Sequence, residues 1–162
     1  MTEPPRYLDL RQQATAYVLR RRPGADDVEV LVILHRDSPE SGVQVPAGGA
    51  LPHETIGEAA VREAREETGV RGVAFGEVLG SRLMRRSGIP GGQQISTYCR
   101  LFADEARDRW DHTVSSSDED RGLRMRCEFR AVDRSRIDWG MDRFLPLAVE
   151  RFIAAQGPGR GR

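Results

Sequence analysis

Cysteine is nearly absent from this chain of 162 residues: Cys99 and Cys127 are its only two. Their spacing matches no metal-binding or redox motif, and one disulfide could not staple a fold of this size. A reducing compartment, the cytoplasm, is therefore expected. Long apolar runs are also missing; none approaches the roughly 20 residues of a membrane helix, so no membrane partner is expected. The opening stretch MTEPPRYLDL lacks the apolar segment of a secretory signal. Net charge is absent too, with 25 Lys+Arg against 25 Asp+Glu. That balance argues against a general binder of polyanions or membrane surfaces and makes long nucleic acid an unexpected partner. There is no internal repeat and no long linker.

What is present is the mix of a globular domain: 31% charged and 38% apolar residues. The length suits one domain over residues 1–156, with the Gly/Pro-rich GPGRGR at 157–162 as a disordered tail. Residues 14–19 and 28–34 read as strands, joined by a loop that turns at Pro23-Gly24. A short strand is expected at 43–45, just before Pro46-Ala47-Gly48-Gly49. Residues 70–83 are strand-rich, 85–93 form a Gly-rich loop, and 94–102 and 123–132 alternate as strands. The polar stretch 104–120 is assigned no element. Residues 144–155 form an amphipathic helix, with enough apolar surface for packing or for a modest homodimer contact. Strands mixed with an early and a terminal helix argue α/β or α+β.

Residues 55–68 carry the chemistry. Thr55 is an N-cap with Glu58 three positions on, a capping box, and Gly69 supplies the stop. At about 100° per residue, Ile56, Ala60, Ala64 and Thr68 form one small stripe that packs on a sheet. Glu63, Glu66 and Glu67 lie directly beside it, with Glu67 between Ile56 and Ala60 and so partly buried. Like charges at i, i+3 and i+4 repel. Partial burial adds to that cost, and so does the negative end of the helix dipole. Arg62 and Arg65 point toward the outer face, leaving the patch incompletely neutralised. A divalent cation, Mg²⁺ with carboxylates and substrate phosphates, removes all three penalties. A solvated helix with local ion pairs is the plainer reading of the spacing alone. Gly48-Gly49 just ahead of the helix, where backbone can approach a metal or phosphate closely, favours the cation.

Gly48-x5-Glu54-x7-Arg62-Glu63-Ala64-Arg65-Glu66-Glu67-Thr68-Gly69-Val70 resembles the Nudix box, G-x5-E-x7-R-E-U-x-E-E-x-G-U. The small Ala64 stands where a bulky aliphatic residue is usual. The resemblance implies a Nudix-type α/β/α sandwich, with a central mixed sheet and helices on both faces. It also implies Mg²⁺- or Mn²⁺-dependent hydrolysis of a nucleoside diphosphate linked to another moiety. By the same resemblance Glu63, Glu66 and Glu67 bind metal, and the Gly48 carbonyl joins them. Glu54 and Arg62 tie loop to helix, with Arg62 orienting the neighbouring Glu, and Gly69 ends the helix. One of the glutamates, or a loop acid, is the general base.

Outside the box, Glu119 in the acidic loop 118–120 is the candidate for that acid or a fourth ligand, ahead of Glu128. Arg82, Arg85 and Arg86 are candidates for substrate phosphate. Trp110, with His112, is the candidate for stacking on a base. Tyr98, Cys99, Phe102, Phe129 and Trp139 read as core or sheet-face residues, and His35 and His53 as ordinary loop or strand-end residues.

Signatures of particular substrates are not matched. Residues 38–46 lack the coenzyme A pattern. Arg86 stands at the proline of the ADP-sugar subclass, and Gly88 at the tyrosine of the diadenosine polyphosphate subclass. Nucleoside triphosphates, dinucleoside polyphosphates, nucleotide sugars and RNA ends stay open. So do two readings on the same fold: a non-catalytic nucleotide-sensing module, and an allylic diphosphate isomerase that would need a catalytic cysteine.

Overall fold

The computed structural model describes residues 10–116 and 120–156. Seven strands, β1 (Leu10–Arg20), β2 (Glu29–His35), β3 (Ala47–Gly49), β4 (Val73–Arg85), β5 (Gln93–Ala103), β6 (Arg109–Thr113) and β7 (Arg124–Ala131), form one sheet. Two helices, α1 (Ile56–Thr68) and α2 (Leu145–Ala155), complete the fold. The sheet runs β4-β5-β1-β2-β7-β6, with β3 attached to β1. β1 and β5 are parallel and every other pair is antiparallel, so the sheet is mixed.

Alternation along β1 creates the layers. Ala14, Ala16 and Val18 face one side and pack with Ala59, Ala60 and Ala64 of α1. Tyr17 and Leu19 face the other and pack with Leu145, Ala148 and Phe152 of α2. The alanines let α1 lie close to the sheet. Helices therefore cover both faces, the expected sandwich. No helix among the described residues is long and apolar enough to cross a membrane.

Three expectations about the chain need correction. Residues 43–45 are not a strand; Gln44 makes one isolated bridge with Ile33, and the strand lies at Ala47–Gly49. The reason is tertiary. β1 and β2 pair at Leu19–Val30 and Arg20–Glu29, then separate, and residues 44–49 fill the opening. The Ala16 N–H donates to the Pro46 carbonyl at 2.8 Å, and Gly48 sits opposite Ala14. Second, the polar stretch after Asp104 contains β6, paired with β7 at the sheet edge. Third, Trp139 is no core residue: it is 70% exposed. Phe102 stands on the sheet, in β5, with its side chain exposed. The tail 157–162 lies outside the described residues.

Candidate active site

α1 is fixed at both ends. Thr55 and Glu58 form the reciprocal capping box, with both hydrogen bonds at 3.1 Å. At the other end Gly69 adopts the left-handed conformation (φ 64°), and its N–H donates to the Arg65 carbonyl at 2.8 Å. The last carbonyls of the helix are then taken by the segment around β6. The Trp110 indole N–H donates to the Thr68 carbonyl at 2.6 Å. His112 Nε2 lies 3.0 Å from the Glu66 carbonyl, which also accepts the Ser115 N–H at 3.1 Å. Arg107 reaches the Gly69 carbonyl at 3.1 Å, and its guanidinium covers the Trp110 ring at 4.4 Å. Trp110 is thus placed as a helix-capping residue rather than on a substrate base: its polar edge and one ring face are already occupied.

Arg62 is the hub of the site. It does not point away to the outer face as the helical wheel suggests. Its Nε and Nη2 hold the Glu54 carboxylate at 2.7 and 3.0 Å. Nη1 reaches Glu63 at 2.8 Å and Glu66 at 3.1 Å, and Nη2 also donates to the Gly49 carbonyl at 2.9 Å. Glu54 in turn accepts the Leu51 N–H at 3.0 Å. One guanidinium therefore binds loop 49–54 to α1 while holding two acidic side chains of the helix. Its attraction keeps the Glu54 carboxyl below the usual carboxylate range.

Glu63 and Glu67 are only 5% and 6% exposed. Their carboxyl groups lie against each other. Burial pushes Glu67 well up from the ordinary glutamate range. The facing Glu63 and nearby Asp120 add to the rise, while the Ala47 backbone hydrogen bond opposes it. Burial also raises Glu63, against the pull of Arg62. The pair is short of positive charge, and this is a site that a cation or a shared proton completes. Gly48 explains how the carboxylate fits: a Cβ there would land on the Glu63 carboxyl group.

No three His, Cys, Asp or Glu side chains among the described residues converge on one metal position. The physical reason is Arg62, which draws Glu66 and one oxygen of Glu63 toward itself. That leaves an all-oxygen set of Glu63, Glu67 and backbone beside Gly48, with Glu66 next to it on the Arg62 side. That set suits a hard cation that takes one or two carboxylates and completes its shell with substrate phosphates.

Two cavities meet at Glu67 and Asp120. The first, about 890 Å³, contains Glu63, Gly48, Arg11 and Arg86. Arg86 is therefore at the site. Arg85 instead lines the β4–β5 hairpin with Ile89 and Pro90, and Arg82 lies near Gly140. Arg11 was missed because nothing near it in sequence marks it; β1 carries it across to Gly49. The second cavity, about 450 Å³, is lined by Trp139, Tyr98, His35 and the thioethers of Met84, Met125 and Met141, among others. Glu119 lies outside the described residues; its neighbour Asp120 borders both cavities. Glu128 is buried, and Arg109 and Arg130 pair with it. Cys99 and Cys127 line neither cavity, and burial pushes their thiols up to about 11 and 12. Neither is a catalytic cysteine for isomerisation.

The chain matches the NUDIX domain over residues 10–148. Among curated proteins nothing matches. Solved structures do. A C. elegans Ap4A hydrolase in a binary complex is 16% identical, covering 90% of this chain and 98% of its own, with a TM-score of 0.62. A UDP-X diphosphatase is 14% identical, covering 94% and 68%, with a TM-score of 0.57. A Nudix hydrolase from M. smegmatis is 22% identical, covering 93% and 89%, with a TM-score of 0.56. At these identities the likeness is one of fold.

Proposed function

The chain belongs to the Nudix family, whose members hydrolyse pyrophosphate bonds, and on that premise we propose that it cleaves a diphosphate linkage between a nucleoside and another moiety with Mg²⁺ or Mn²⁺. The substrate range is nucleoside triphosphates, dinucleoside polyphosphates and nucleotide sugars. The observation that carries this reading is the buried Glu63–Glu67 pair, short of positive charge, at the meeting point of two cavities.

Glu63, Glu66 and Glu67, with the Gly48 carbonyl, are the groups that would hold the cation. A cation so held neutralises phosphate charge and acidifies water. The chain's own residues do the rest. Arg62 keeps Glu63 and Glu66 in place and anchors loop 49–54 through Glu54. Arg11 and Arg86 supply guanidinium groups for phosphate oxygens in the Glu63 cavity. A water oxygen bonds to phosphorus while the bridging P–O bond breaks. The electron pair of that bond leaves with the departing phosphate. The water proton passes to one of the glutamates or to a loop acid such as Glu119.

The test is release of phosphate and pyrophosphate from a panel of those three substrate classes, with Mg²⁺, with Mn²⁺ and after chelation. Turnover that needs the metal and falls at least about 100-fold in Glu67→Gln is expected. Nucleotide binding with no turnover on any member would replace the hydrolase by a sensing module.

A further inference from the structure

The two cavities that meet at Glu67 differ in charge. The Glu63 side carries Arg11 and Arg86. The Trp139 side has no arginine among its lining residues, and the chain contains no lysine. Arg82 comes near Gly140 but does not line that cavity. Instead the wall offers uncharged groups: the Gln13, Gln44 and Gln94 amides, and methionine thioethers. A phosphate has no counter-charge there, whereas a flat neutral ring has both stacking surface and hydrogen-bonding amides.

Trp139 is built into this wall by design of the backbone. It has φ 63°, a conformation that bulky residues rarely adopt. Its indole N–H donates to the Ser41 carbonyl at 2.7 Å. Asp138 clips the same loop to Val43, through its carboxylate and its N–H, both at 2.8 Å. Gly42 has no room for a Cβ, which would strike Asp138 Oδ2 at 2.6 Å. The indole is thus held by its edge while it stays 70% exposed. A side chain kept out of the core and fixed in strained backbone at a cavity mouth is placed for a ligand.

We infer that the substrate lies across Glu67 with its nucleobase stacked on Trp139 and a further anionic phosphate group between Arg11 and Arg86. This rests on the hydrolase reading and narrows it. The moiety beyond the cleaved diphosphate is itself phosphorylated, so the substrate is a nucleoside triphosphate or a dinucleoside polyphosphate, not a nucleotide sugar. The stacking surface and amides suit a purine.

Intrinsic tryptophan fluorescence tests it without turnover, with Ca²⁺ replacing Mg²⁺. The ligands are ATP, diadenosine tetraphosphate, ADP-ribose and inorganic tripolyphosphate; wild type is compared with Trp139→Phe, Trp139→Ala and Arg11→Ala/Arg86→Ala. Both nucleotide polyphosphates quench the wild type, and Trp139→Phe removes that quench because Trp110 is turned to the helix end. Calorimetry shows Trp139→Ala weakening ATP by about 10-fold while tripolyphosphate is unchanged. The arginine variant weakens ATP and tripolyphosphate alike. ADP-ribose binds at least 10-fold more weakly than ATP, by about one tenfold step of affinity. Comparing ATP with diadenosine tetraphosphate tells the two polyphosphate classes apart. Equal or tighter binding of ADP-ribose, or unchanged ATP affinity in Trp139→Ala, overturns the inference. Since Trp139 is largely exposed, its loss leaves the fold intact, which a thermal melt verifies. The expected binding pattern with no turnover of any substrate would sink the hydrolase reading and leave only the placement of base and phosphate standing.

Discussion

Two buried glutamate centres, one at each end of the last turns of α1, treat the same side chain in opposite ways. Glu105 is 6% exposed, about as buried as Glu67. It accepts Arg107 Nε at 2.9 Å and Nη2 at 2.7 Å, the Arg107 N–H at 3.0 Å and the Arg71 N–H at 2.9 Å. Those partners, Arg107 first, hold its carboxyl down to about 2. Glu63 and Glu67 face each other with the single guanidinium of Arg62 shared among Glu54, Glu63 and Glu66. Burial there raises both groups. The satisfied centre fastens the end of the helix through Arg107 and Gly69. The unsatisfied one keeps a stability cost that a bound cation or a shared proton removes. At similar solvent exposure the two centres differ in how far the carboxyl is desolvated and in the positive partners it has.

The comparison breaks most visibly at Arg62. Arg62→Ala leaves three carboxylates without their cation and detaches loop 49–54. We expect stability to drop by on the order of 3 kcal/mol and diphosphate hydrolysis to vanish, measured by chemical denaturation and by phosphate release. Glu105→Gln removes the charge that Arg107 and two N–H groups address. A loss of about 2 kcal/mol is expected, with a much smaller change in kcat than in stability.

Acid sharpens the contrast. The folded Glu105 carboxyl titrates at about 2, below the value of an unfolded glutamate near 4.5. The unfolded chain therefore takes up the proton first as pH falls. Its contribution to stability is complete above about 4.5 and is lost between there and about 2. A pH series of unfolding free energies should show less acid loss in Glu105→Gln than in wild type. The smallest effect concerns the thiols. With Cys99 and Cys127 raised to about 11 and 12, native protein at pH 8 should resist iodoacetamide and keep full activity, while unfolded protein is alkylated at both.

The sequence made α1 legible because its signals are local. The capping box, the alanine stripe, the helix-ending glycine and the three glutamates all lie within one short segment, and the sheet only had to receive them. What escaped was set by partners far along the chain. β3 is Ala-Gly-Gly, with no intrinsic strand preference; β1 imposes the pairing. β6 is polar on its outer side because it is an edge strand, and only Trp110 and His112 turn inward, to α1. The direction of Arg62 was misjudged because a helical wheel places Cβ, whereas a long side chain ends where its partners are. Trp139 read as a core or sheet-face residue from hydrophobicity alone. Its exposure depends on Ser41, Val43 and Asp138, which no local pattern links. Arg11 joined the site for the same reason.

The most direct measurement pairs stability with turnover in Glu67→Gln, with Glu105→Gln as reference. Unfolding free energy is taken in metal-free buffer at neutral pH, and hydrolysis with Mg²⁺. The account predicts that Glu67→Gln matches or exceeds wild type in stability while turnover collapses, and that Glu105→Gln does the reverse. A Glu67→Gln protein that is clearly less stable yet still turns over substrate would contradict it.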